Sequence, residues 1–385
     1  MRIYLDNAAT SWPKPESVYA AADHWQRVIG AAGGRGVTRE ANETDRIISS
    51  ARKGVAQCLG VDDPRRVIFT LNGTDSLNQA LHGLLRPGDH VVTTVCEHNS
   101  VLRPLSWLQQ HRDVAVTVVD CDDRGFVDPD DIRSSIHART KLIALVHASN
   151  VTGAVQPAEE VGAIAAEKGV DFLLDAAQSL GHLPIDVKQI GCTMLAAPGH
   201  KGLLGPLGTG VLYLAEGIEQ RLEPVRQGGT GTHSEVASQP AELPDRYESG
   251  NQNVPGIAGL GAGVAEVLRL GVNAIAEQQA VLTKRLIQAL AEVRGLSLYG
   301  PSAEQHRIGV VNFNLDGWDP QELATLLDTQ WSIQARAGLH CAPHMHAALG
   351  TIPAGAVRAS LGPFTTADHI DALVSALHEL AADGA

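Results

Sequence analysis

A chain of 385 residues, 44% hydrophobic and 19% charged, has the length and composition of an ordinary globular protein with one large domain or two. Its formal net charge of -13 argues against nucleic acid or an anionic membrane surface as the main partner. The first residues lack the basic and apolar regions of a secretory leader, and no apolar run approaches the roughly 20 residues that cross a bilayer. We therefore expect a cytoplasmic protein.

Short strand-like runs alternate with amphipathic helical runs over most of the chain. The predicted strands are rich in β-branched residues and bounded by Gly, Pro or Asp, and they cover 66–70, 89–95, 114–120, 141–149, 170–178 and 210–216. Helical runs such as 76–85 and 158–169 lie between them. The alternation predicts an α/β domain over residues 15–250, with a mixed, mostly parallel sheet covered by helices on both faces.

The pattern changes after about residue 250. Helical runs and one strand-like run follow, at 256–271, 274–293, 307–315 (the strand), 320–328 and 368–382. We expect a smaller α+β domain here, built from residues 1–14 and 251–385. No long linker separates the two parts, so we expect them to pack closely.

Lys201 lies in a segment dense with Gly and apolar residues, APGHKGLLGPLGTG (197–210). Burial there would lower the pKa of its amine and make it a nucleophile toward a carbonyl carbon. An ordinary lysine in a glycine-rich surface loop is the alternative, and Lys201 considered alone favours that alternative.

Asp175 and Gln178 close the predicted strand VDFLLDAAQ. A buried carboxylate is costly unless it meets a cation, and the pyridinium nitrogen of pyridoxal 5'-phosphate (PLP) is such a cation. A carboxylate that caps the next helix is the common alternative. The Asp-x-x-Gln motif followed by a lysine in a segment of Gly and apolar residues is rarer than either feature alone. The combination favours PLP bound as an imine to Lys201.

Two further motifs suit the same cofactor. In FTLNGTDSLNQA (69–80) a strand passes through Gly73, Thr74 and Asp75 into a helix, and a helix N-terminus with a hydroxyl suits a phosphate. His98, in VCEHNS, is placed to lie flat on an aromatic ring. Each motif alone is more often a capped helix or a packed histidine.

Together these motifs resemble the class V aminotransferase fold and, within it, the cysteine desulfurases of the NifS, IscS and SufS type. The resemblance runs nearly end to end, through YLDNAAT (4–10), NGTDSLN, CEHNS, HASNVTG (147–153), DAAQSLGHLPIDV, GHKGLLGPLGTG, RYESGNQNVPGIAGL, ARAGLHCAP (335–343) and VRASLGPFTT (357–366). It implies PLP fold type I, with a seven-stranded sheet, and a homodimer with shared active sites.

The resemblance also implies a role for each matching residue. Lys201 would form the imine, Asp175 would pair with the pyridine nitrogen, Gln178 would approach the ring hydroxyl, His98 would stack on the ring, Thr74 and His200 would hold the phosphate, Asn150 would lie near the substrate imine, and Arg336 and Arg358 would bind the substrate carboxylate. A planar, bidentate guanidinium suits that last task.

Two positions depart from the family pattern. Relatives commonly have a serine shortly before the cofactor lysine, where this chain has Ala197-Pro198-Gly199, so the phosphate must rely on other donors. Where relatives have Gly-Thr in a loop donated by the partner subunit, this chain has Gly250-Asn251. Asn251 can still donate a hydrogen bond, and we expect it to reach the partner's cofactor site.

Cys341 lies where the family's catalytic cysteine would be, in a short loop similar to that of the SufS type. We expect its neighbours Arg336, His340, His344 and His346 to favour the thiolate. The histidines have no carboxylate or second cysteine at ligand spacing, so we expect no metal site. The other four cysteines are scattered among apolar and turn residues, and we expect them to be inert.

The expected reaction converts L-cysteine to L-alanine and leaves the sulfur on Cys341 as a persulfide. A selenocysteine lyase or a cysteine/cystine C–S lyase of the same fold, a transaminase, and a non-catalytic partner in a sulfur-transfer complex are the alternatives. The sulfur acceptor stays open between a protein, such as an iron–sulfur cluster scaffold or a tRNA-thiolation relay, and a small thiol.

Overall fold

A computed structural model describes residues 2–34, 36–232 and 235–383 of the chain. The strands are β1 (Ile3–Tyr4), β2 (Val67–Thr70), β3 (His90–Thr94), β4 (Ala115–Val119), β5 (Thr140–Val146), β6 (Asp171–Asp175), β7 (Met194–Pro198), β8 (Gly210–Leu214), β9 (Leu296–Tyr299), β10 (Val310–Leu315), β11 (Ile333–Gln334), β12 (Arg336–Gly338) and β13 (Ala356–Ser360). The helices are α1 (Glu16–His24), α2 (Arg39–Cys58), α3 (Gly73–Leu84), α4 (Asn99–Arg112), α5 (Pro129–Ser134), α6 (Ala158–Lys168), α7 (Val187–Ile190), α8 (Val254–Leu270), α9 (Val272–Ala291), α10 (Pro320–Trp331), α11 (Pro343–Ala348) and α12 (Ala367–Asp383). A π-helical turn (Trp25–Ile29) and two 3₁₀ turns (Pro64–Arg66 and Ile218–Gln220) complete the helical elements.

Seven strands form the large sheet, in the order β2-β8-β7-β6-β5-β3-β4. Only β8 runs against the others, because it pairs antiparallel with both β2 and β7. Both faces of the sheet are buried: along β6, Phe172 and Leu174 belong to one apolar cluster and Leu173 to another on the opposite face. The predicted α/β class, with a mixed and mostly parallel seven-stranded sheet, is confirmed.

One central strand, β7, was not among the predicted strands. Its sequence, MLAAP, contains no β-branched or aromatic residue, so it carries no strand signal of its own. It forms because β6 and β8 pair with it on both sides and all five residues are buried. Lys201 follows β7 by three residues. The pairing of β7 with β6 and β8 therefore positions the segment that carries Lys201.

The C-terminal part contains a four-stranded antiparallel sheet in the order β12-β13-β10-β9. Its apolar face packs with α9, α10 and α12 around a cluster that includes Phe313, Leu323 and Leu377. The N-terminal strand β1 pairs with β11, which directly precedes β12. The domain boundaries, whose outermost residues lie outside the described ranges, stay predictions.

Among the described residues, no single helix has the length and apolar composition to cross a membrane. Helices α8 and α9, bent by 75° at the break between them, satisfy that test only as a pair and only by length and composition.

Candidate active site

A cavity of about 410 Å³ opens where the parallel strands of the large sheet end. After β2 come Gly73 and Thr74, after β3 His98, after β5 Asn150, after β6 Gln178, and after β7 His200 and Lys201. Carboxyl ends of parallel strands meet at one edge, which is the usual ligand site of such sheets. Eleven of the predicted site residues line this cavity, namely Gly73, Thr74, His98, Asn150, Asp175, Gln178, His200, Lys201, Arg336, Cys341 and Arg358.

Asp175 is the last residue of β6 and is buried, with 3% of its surface exposed. Its Oδ1 accepts a hydrogen bond from the Ala177 N–H at 2.9 Å. Among the described residues it forms no ion pair; burial raises the pKa of its carboxyl, while the charge of Lys201 acts in the opposite direction. A buried carboxyl that lines a cavity without a counter-ion is suited to a cationic ligand atom.

Gln178 stands one turn after Asp175, and its Nε2 donates to the Ala8 carbonyl at 2.9 Å. That bond anchors the N-terminal segment against the end of β6. Gln178 also lines the cavity.

Lys201 is fixed through its backbone by the N-terminal segment. The Ser11 hydroxyl donates to the Lys201 carbonyl at 2.9 Å, and Lys14 Nζ donates to the His200 carbonyl at 2.7 Å. Burial lowers the pKa of the Lys201 amine to about 8, although the charge of Asp175 acts in the opposite direction. A larger fraction of the amine is therefore neutral and nucleophilic at physiological pH than in an exposed lysine.

The N-terminus of α3 forms one end of the cavity. Asn72 caps the helix by accepting from the Asp75 N–H at 2.9 Å, and the Thr74 hydroxyl contacts the Ser100 hydroxyl at 2.7 Å. A Cβ on Gly73 would meet Pro198 at 3.1 Å, so glycine permits α3 to approach β7 this closely. The first turn of α3 thus offers N–H groups and a hydroxyl to an anion.

His200 is the second predicted phosphate residue, and its buried Nδ1 has no partner among the described residues. Burial lowers the pKa of its ring to about 4, so the ring is neutral near pH 7. A buried ring nitrogen without a partner is suited to a bound polar group.

Asp75 and Asn251 do not line the cavity. The Asp75 carboxylate accepts from the Leu71 N–H at 2.9 Å and pairs with Arg226 at 3.0 Å, so it faces away from the cavity. Asn251 lies beside Ser249 in a separate cavity of about 70 Å³. If Asn251 reaches the site of a partner subunit, it need not lie near the cavity of its own subunit. The predicted roles of Asp75 and Asn251 stay predictions.

His98 caps α4, because its Nδ1 accepts from the Ser100 N–H at 3.0 Å. Burial lowers the pKa of the ring to about 4, and the nearby Lys201 and Arg358 charges lower it further in the same direction. With Nδ1 as the acceptor, the neutral ring carries its proton on Nε2. The ring is thereby held in one orientation at the cavity wall.

Asp6 connects the two arginines that line the cavity. Its carboxylate accepts from Arg358 Nη2 at 2.9 Å and from Arg336 Nε at 3.0 Å. Arg358 is almost fully buried, with 3% of its side chain exposed, whereas 51% of the Arg336 side chain is exposed. Arg358 Nε has no partner among the described residues, so the buried guanidinium keeps a donor for a ligand.

Asn150 ties the large sheet to the segment that carries Cys341. Its Nδ2 donates to the His340 carbonyl at 2.6 Å, and its backbone carbonyl accepts from Arg358 Nη1 at 3.1 Å. Its buried Oδ1 has no partner in the described part of the chain. Asn150 therefore brings an unpaired acceptor to the same place as Arg358.

Cys341 is the one exposed cysteine of the chain, all five of which lie in described ranges. His340 and Cys341 have φ values of 47° and 57°, so two successive non-glycine residues occupy the left-handed region. The Cys341 carbonyl accepts from the Asn99 N–H at 2.7 Å, which holds the turn against α4. Cys341 lines both the cavity and an outer groove of about 790 Å³ between β12 and α10.

The expectation that His340 and His346 provide positive charge to Cys341 is wrong. Their rings contact each other, with Nδ1 of His340 3.1 Å from Nε2 of His346, and both are buried. Burial lowers the pKa of His340 to about 2 and that of His346 to about 4, so both are neutral near pH 7. Of the predicted neighbours, Arg336 lines both the cavity and the outer groove together with Cys341.

The other cysteines lie away from the cavity. Burial raises the pKa of Cys58 to about 11 and that of Cys192 to about 12, so both stay thiols. Cys96 is buried and its thiol interacts with that of Cys121, which lowers the pKa of Cys121. Among the described residues, no group of three or more His, Cys, Asp or Glu side chains converges as metal ligands.

The family model for class-V aminotransferases matches residues 3–373. The chain belongs to this family. The match covers the seven-stranded and the four-stranded sheet, and it agrees with the nearly end-to-end resemblance of the motifs.

Relatives that are similar over nearly their full length include proteins named as cysteine desulfurases. A probable cysteine desulfurase of Methanothermobacter thermautotrophicus is 36% identical, over 99% of this chain and 95% of its own length. A cysteine desulfurase of Serratia proteamaculans is 33% identical, over 98% and 93%. In solved structures, the apo cysteine desulfurase of Thermococcus onnurineus superposes with a TM-score of 0.93 at 35% identity, covering 99% of this chain and 95% of its own.

Five residues with contacts at the site were not among the predicted site residues, namely Asp6, Ser11, Lys14, Glu97 and Ser100. Asp6 lies in YLDNAAT and Glu97 in CEHNS, so both belong to motifs that carried the resemblance. An acidic residue inside such a motif is the signal that could have pointed to them. Ser11 and Lys14 carry no comparable signal, because their importance arises from contacts with backbone carbonyls almost 190 residues away.

Proposed function

We propose that the chain is a PLP-dependent cysteine desulfurase that converts L-cysteine to L-alanine and holds the sulfur on Cys341 as a persulfide. The observation that supports this most is that one cavity is lined by Lys201, Asp175, Arg358 and Cys341. A buried amine, an unpaired carboxyl, a buried guanidinium and a reachable thiol are the four groups that this reaction needs. The names of the full-length relatives support the same activity.

The residues of the cavity fit PLP. Among the described residues, Asp175 is a buried carboxyl that forms no ion pair, and His200 Nδ1 and Asn150 Oδ1 are buried polar atoms without partners. We assign Lys201 to the imine, Asp175 and Gln178 to the ring, His98 to its face, and Gly73, Thr74 and His200 to the phosphate. When bound, the cofactor supplies an electron-accepting ring conjugated to the substrate amine.

Arg358 and Arg336 would bind the substrate carboxylate. Arg358 is held by Asp6 and by the Asn150 carbonyl, which leaves its Nε free to donate. Because Arg358 is buried and its geometry is fixed, its hydrogen bonds to a carboxylate act in a low dielectric and orient the substrate. Arg336 is half exposed and lies at the border of the outer groove, so it closes the site from the solvent side.

Lys201 Nζ would move the substrate Cα proton. The lowered pKa of the Lys201 amine would keep a useful fraction of it neutral near pH 7 and able to accept that proton. The Ser11 and Lys14 hydrogen bonds fix the backbone on which the side chain pivots.

Cys341 Sγ would take the sulfur. Its thiolate attacks the substrate sulfur, an S–S bond forms as the C–S bond breaks, and the β-carbon gains a proton to give alanine. The atoms balance, because cysteine and a thiol become alanine and a persulfide. A second thiol, from an acceptor protein or a small molecule, then removes the sulfur through the outer groove that Cys341 also lines.

The proposal includes a homodimer in which Asn251 of each subunit completes its partner's phosphate site. It also includes a cytoplasmic location, since a catalytic thiol needs a reducing compartment. The nature of the sulfur acceptor stays open in this proposal.

The test is to incubate the purified, PLP-loaded protein with L-cysteine and a reductant and to measure alanine, sulfide and pyruvate. We expect equal amounts of alanine and sulfide, and we expect Cys341→Ala to lose both while its cofactor absorbance is unchanged. Pyruvate as the main product, with Cys341→Ala still active, would contradict desulfuration and indicate a C–S lyase instead.

A further inference from the structure

Glu97 is a fully buried carboxyl between two of the cavity's elements, and the proposed reaction gives it no role. It follows β3 and immediately precedes His98, and its exposure is 0%. Its Oε1 accepts from the Thr94 hydroxyl and from the Val146 N–H, both at 2.9 Å. Its Oε2 has no partner among the described residues.

The surroundings of Glu97 disfavour a negative charge. No Lys, Arg or His of the described residues lies within ion-pair distance of it, and the neighbouring Asp175 carboxyl of β6 adds repulsion. On its own segment, Cys96 is a buried thiol and His98 is a neutral ring, so neither provides a cation. An isolated buried carboxylate takes up a proton, and burial raises the pKa of Glu97 to about 8.

The contacts of Glu97 connect three strand ends of the site. Through the Val146 N–H it joins the segment of His98 to the end of β5. Val146 is in turn the register partner of Asp175, and the next residue, His147, donates its N–H to the Asp175 carbonyl at 2.9 Å. A single side chain thus ties the position of His98 to that of Asp175.

We propose that Glu97 is a positioning residue that acts as a neutral carboxylic acid, fixing His98 relative to Asp175 and leaving Asp175 as the one carboxylate available to a cationic ligand atom. Two adjacent buried carboxylates would compete for one proton, and ionising both is costly in a low dielectric. A protonated Glu97 removes that competition. The protonation follows from this chain alone, whereas the benefit to the cofactor rests on the proposed function.

The proposal predicts a pH-dependent stability. Glutamate has an ordinary pKa of about 4.3 in an unfolded chain, so folding takes up a proton between that value and about 8. As the pH rises through this window, the wild-type protein therefore loses stability relative to the Glu97→Gln variant. Its folding equilibrium constant falls, relative to that of the variant, by up to about tenfold per pH unit. Above about pH 8 the difference no longer grows.

The first test is infrared difference spectroscopy of the PLP-loaded protein against Glu97→Gln between pH 5 and pH 9. We expect a protonated-carboxyl carbonyl band that belongs to Glu97 and disappears with a midpoint near 8. Glu160→Gln, at an exposed position of α6, is the matched control and should remove no such band. A Glu97 that is ionised at pH 6 would overturn the proposal.

The second test compares cofactor release from Glu97→Gln and Glu97→Ala. The glutamine keeps the neutral shape and the Oε1 acceptor, so we expect its PLP dissociation rate to stay within about twofold of wild type, consistent with near-neutral exchange of like groups. The alanine leaves the Val146 N–H unpaired, and we expect release at least about tenfold faster. If the Glu97→Ala variant does not fold, PLP release from Glu97→Gln and the infrared band still test the proposal.

Equal loss of cofactor in the glutamine and alanine variants would overturn the proposal, because it would mean that the charge of Glu97 is required. Neither test uses turnover. If the enzyme releases pyruvate, the proposed function is wrong, but the expected results of these two tests do not change. Failure of the proposed function and failure of the Glu97 proposal are therefore distinguishable.

Discussion

The wall of the cavity that carries Asp175 and Lys201 is made by strand ends in the middle of the seven-stranded sheet, whereas the wall that carries Cys341 is a loop at the edge of the small sheet. On the first wall, side chains are buried and their positions follow from strand register. On the second, the thiol is exposed and two residues occupy left-handed backbone conformations. The difference suits two tasks of the proposed function: holding the cofactor needs rigidity, and passing sulfur outward needs access.

Arg358 and Arg336 repeat this contrast within one ion-pair network. Arg358 is buried on β13 and Arg336 is half exposed on β12, yet both contact Asp6. The substrate carboxylate would meet one fixed and one movable cation. Asp6 therefore links the buried and the half-exposed arginine of the small sheet.

The largest expected effect comes from removing the amine of Lys201, on the wall that the strand ends of the large sheet form. Lys201→Ala should lose roughly 10²- to 10⁴-fold in turnover, since the proton transfer at Cα loses its base. The absorbance of the imine should be lost as well. Steady-state assays with L-cysteine and absorbance spectra check both results, and a Lys201→Ala protein that keeps its turnover would contradict the assignment.

The two arginines should differ in the size of their effects. Arg358→Ala should raise KM for L-cysteine by roughly 10- to 100-fold, because a charge-assisted hydrogen bond contributes about 1.5–3 kcal/mol. Arg336→Ala should raise it by less than about fivefold, because exposed ion pairs contribute about 0.2–1 kcal/mol. Kinetics of both variants measured together test the comparison, and it fails if Arg336→Ala is the more damaging change.

The lowered pKa of Lys201 sets the pH dependence of cofactor loading. Imine formation needs the neutral amine, so the rate of PLP uptake should rise about tenfold per pH unit below the pKa and level off above about 8. Stopped-flow absorbance between pH 6 and pH 10 measures this rate. A rate that keeps rising to pH 10 would mean that the amine is not desolvated as described.

The smallest effect is expected at Cys121. Its thiol interacts with Cys96 and does not line the cavity, so Cys121→Ala should keep turnover within about twofold, as for most substitutions away from special sites. Sulfide assays of Cys121→Ala beside Cys341→Ala make the comparison. An inactive Cys121→Ala would show that sulfur transfer depends on more than the exposed loop.

Much of the wall formed by the strand ends of the large sheet was predictable from the sequence. The motifs around Asp175, His98 and Thr74 that end these strands are short and contiguous in the chain. The strand β7 was not predictable, because its residues carry no strand propensity and pairing alone creates it. The Asp6 network was not predicted either, since its partners lie 330 and 352 residues away. Burial also decided the charges of His340 and His346, and burial is not visible in a motif.

The most direct test of the sulfur-transfer account is mass spectrometry of the PLP-loaded protein after one turnover with L-cysteine, without reductant. The account predicts one added sulfur atom on the peptide that contains Cys341, and one alanine released per active site. Alanine without added sulfur on that peptide, or pyruvate in its place, would contradict it.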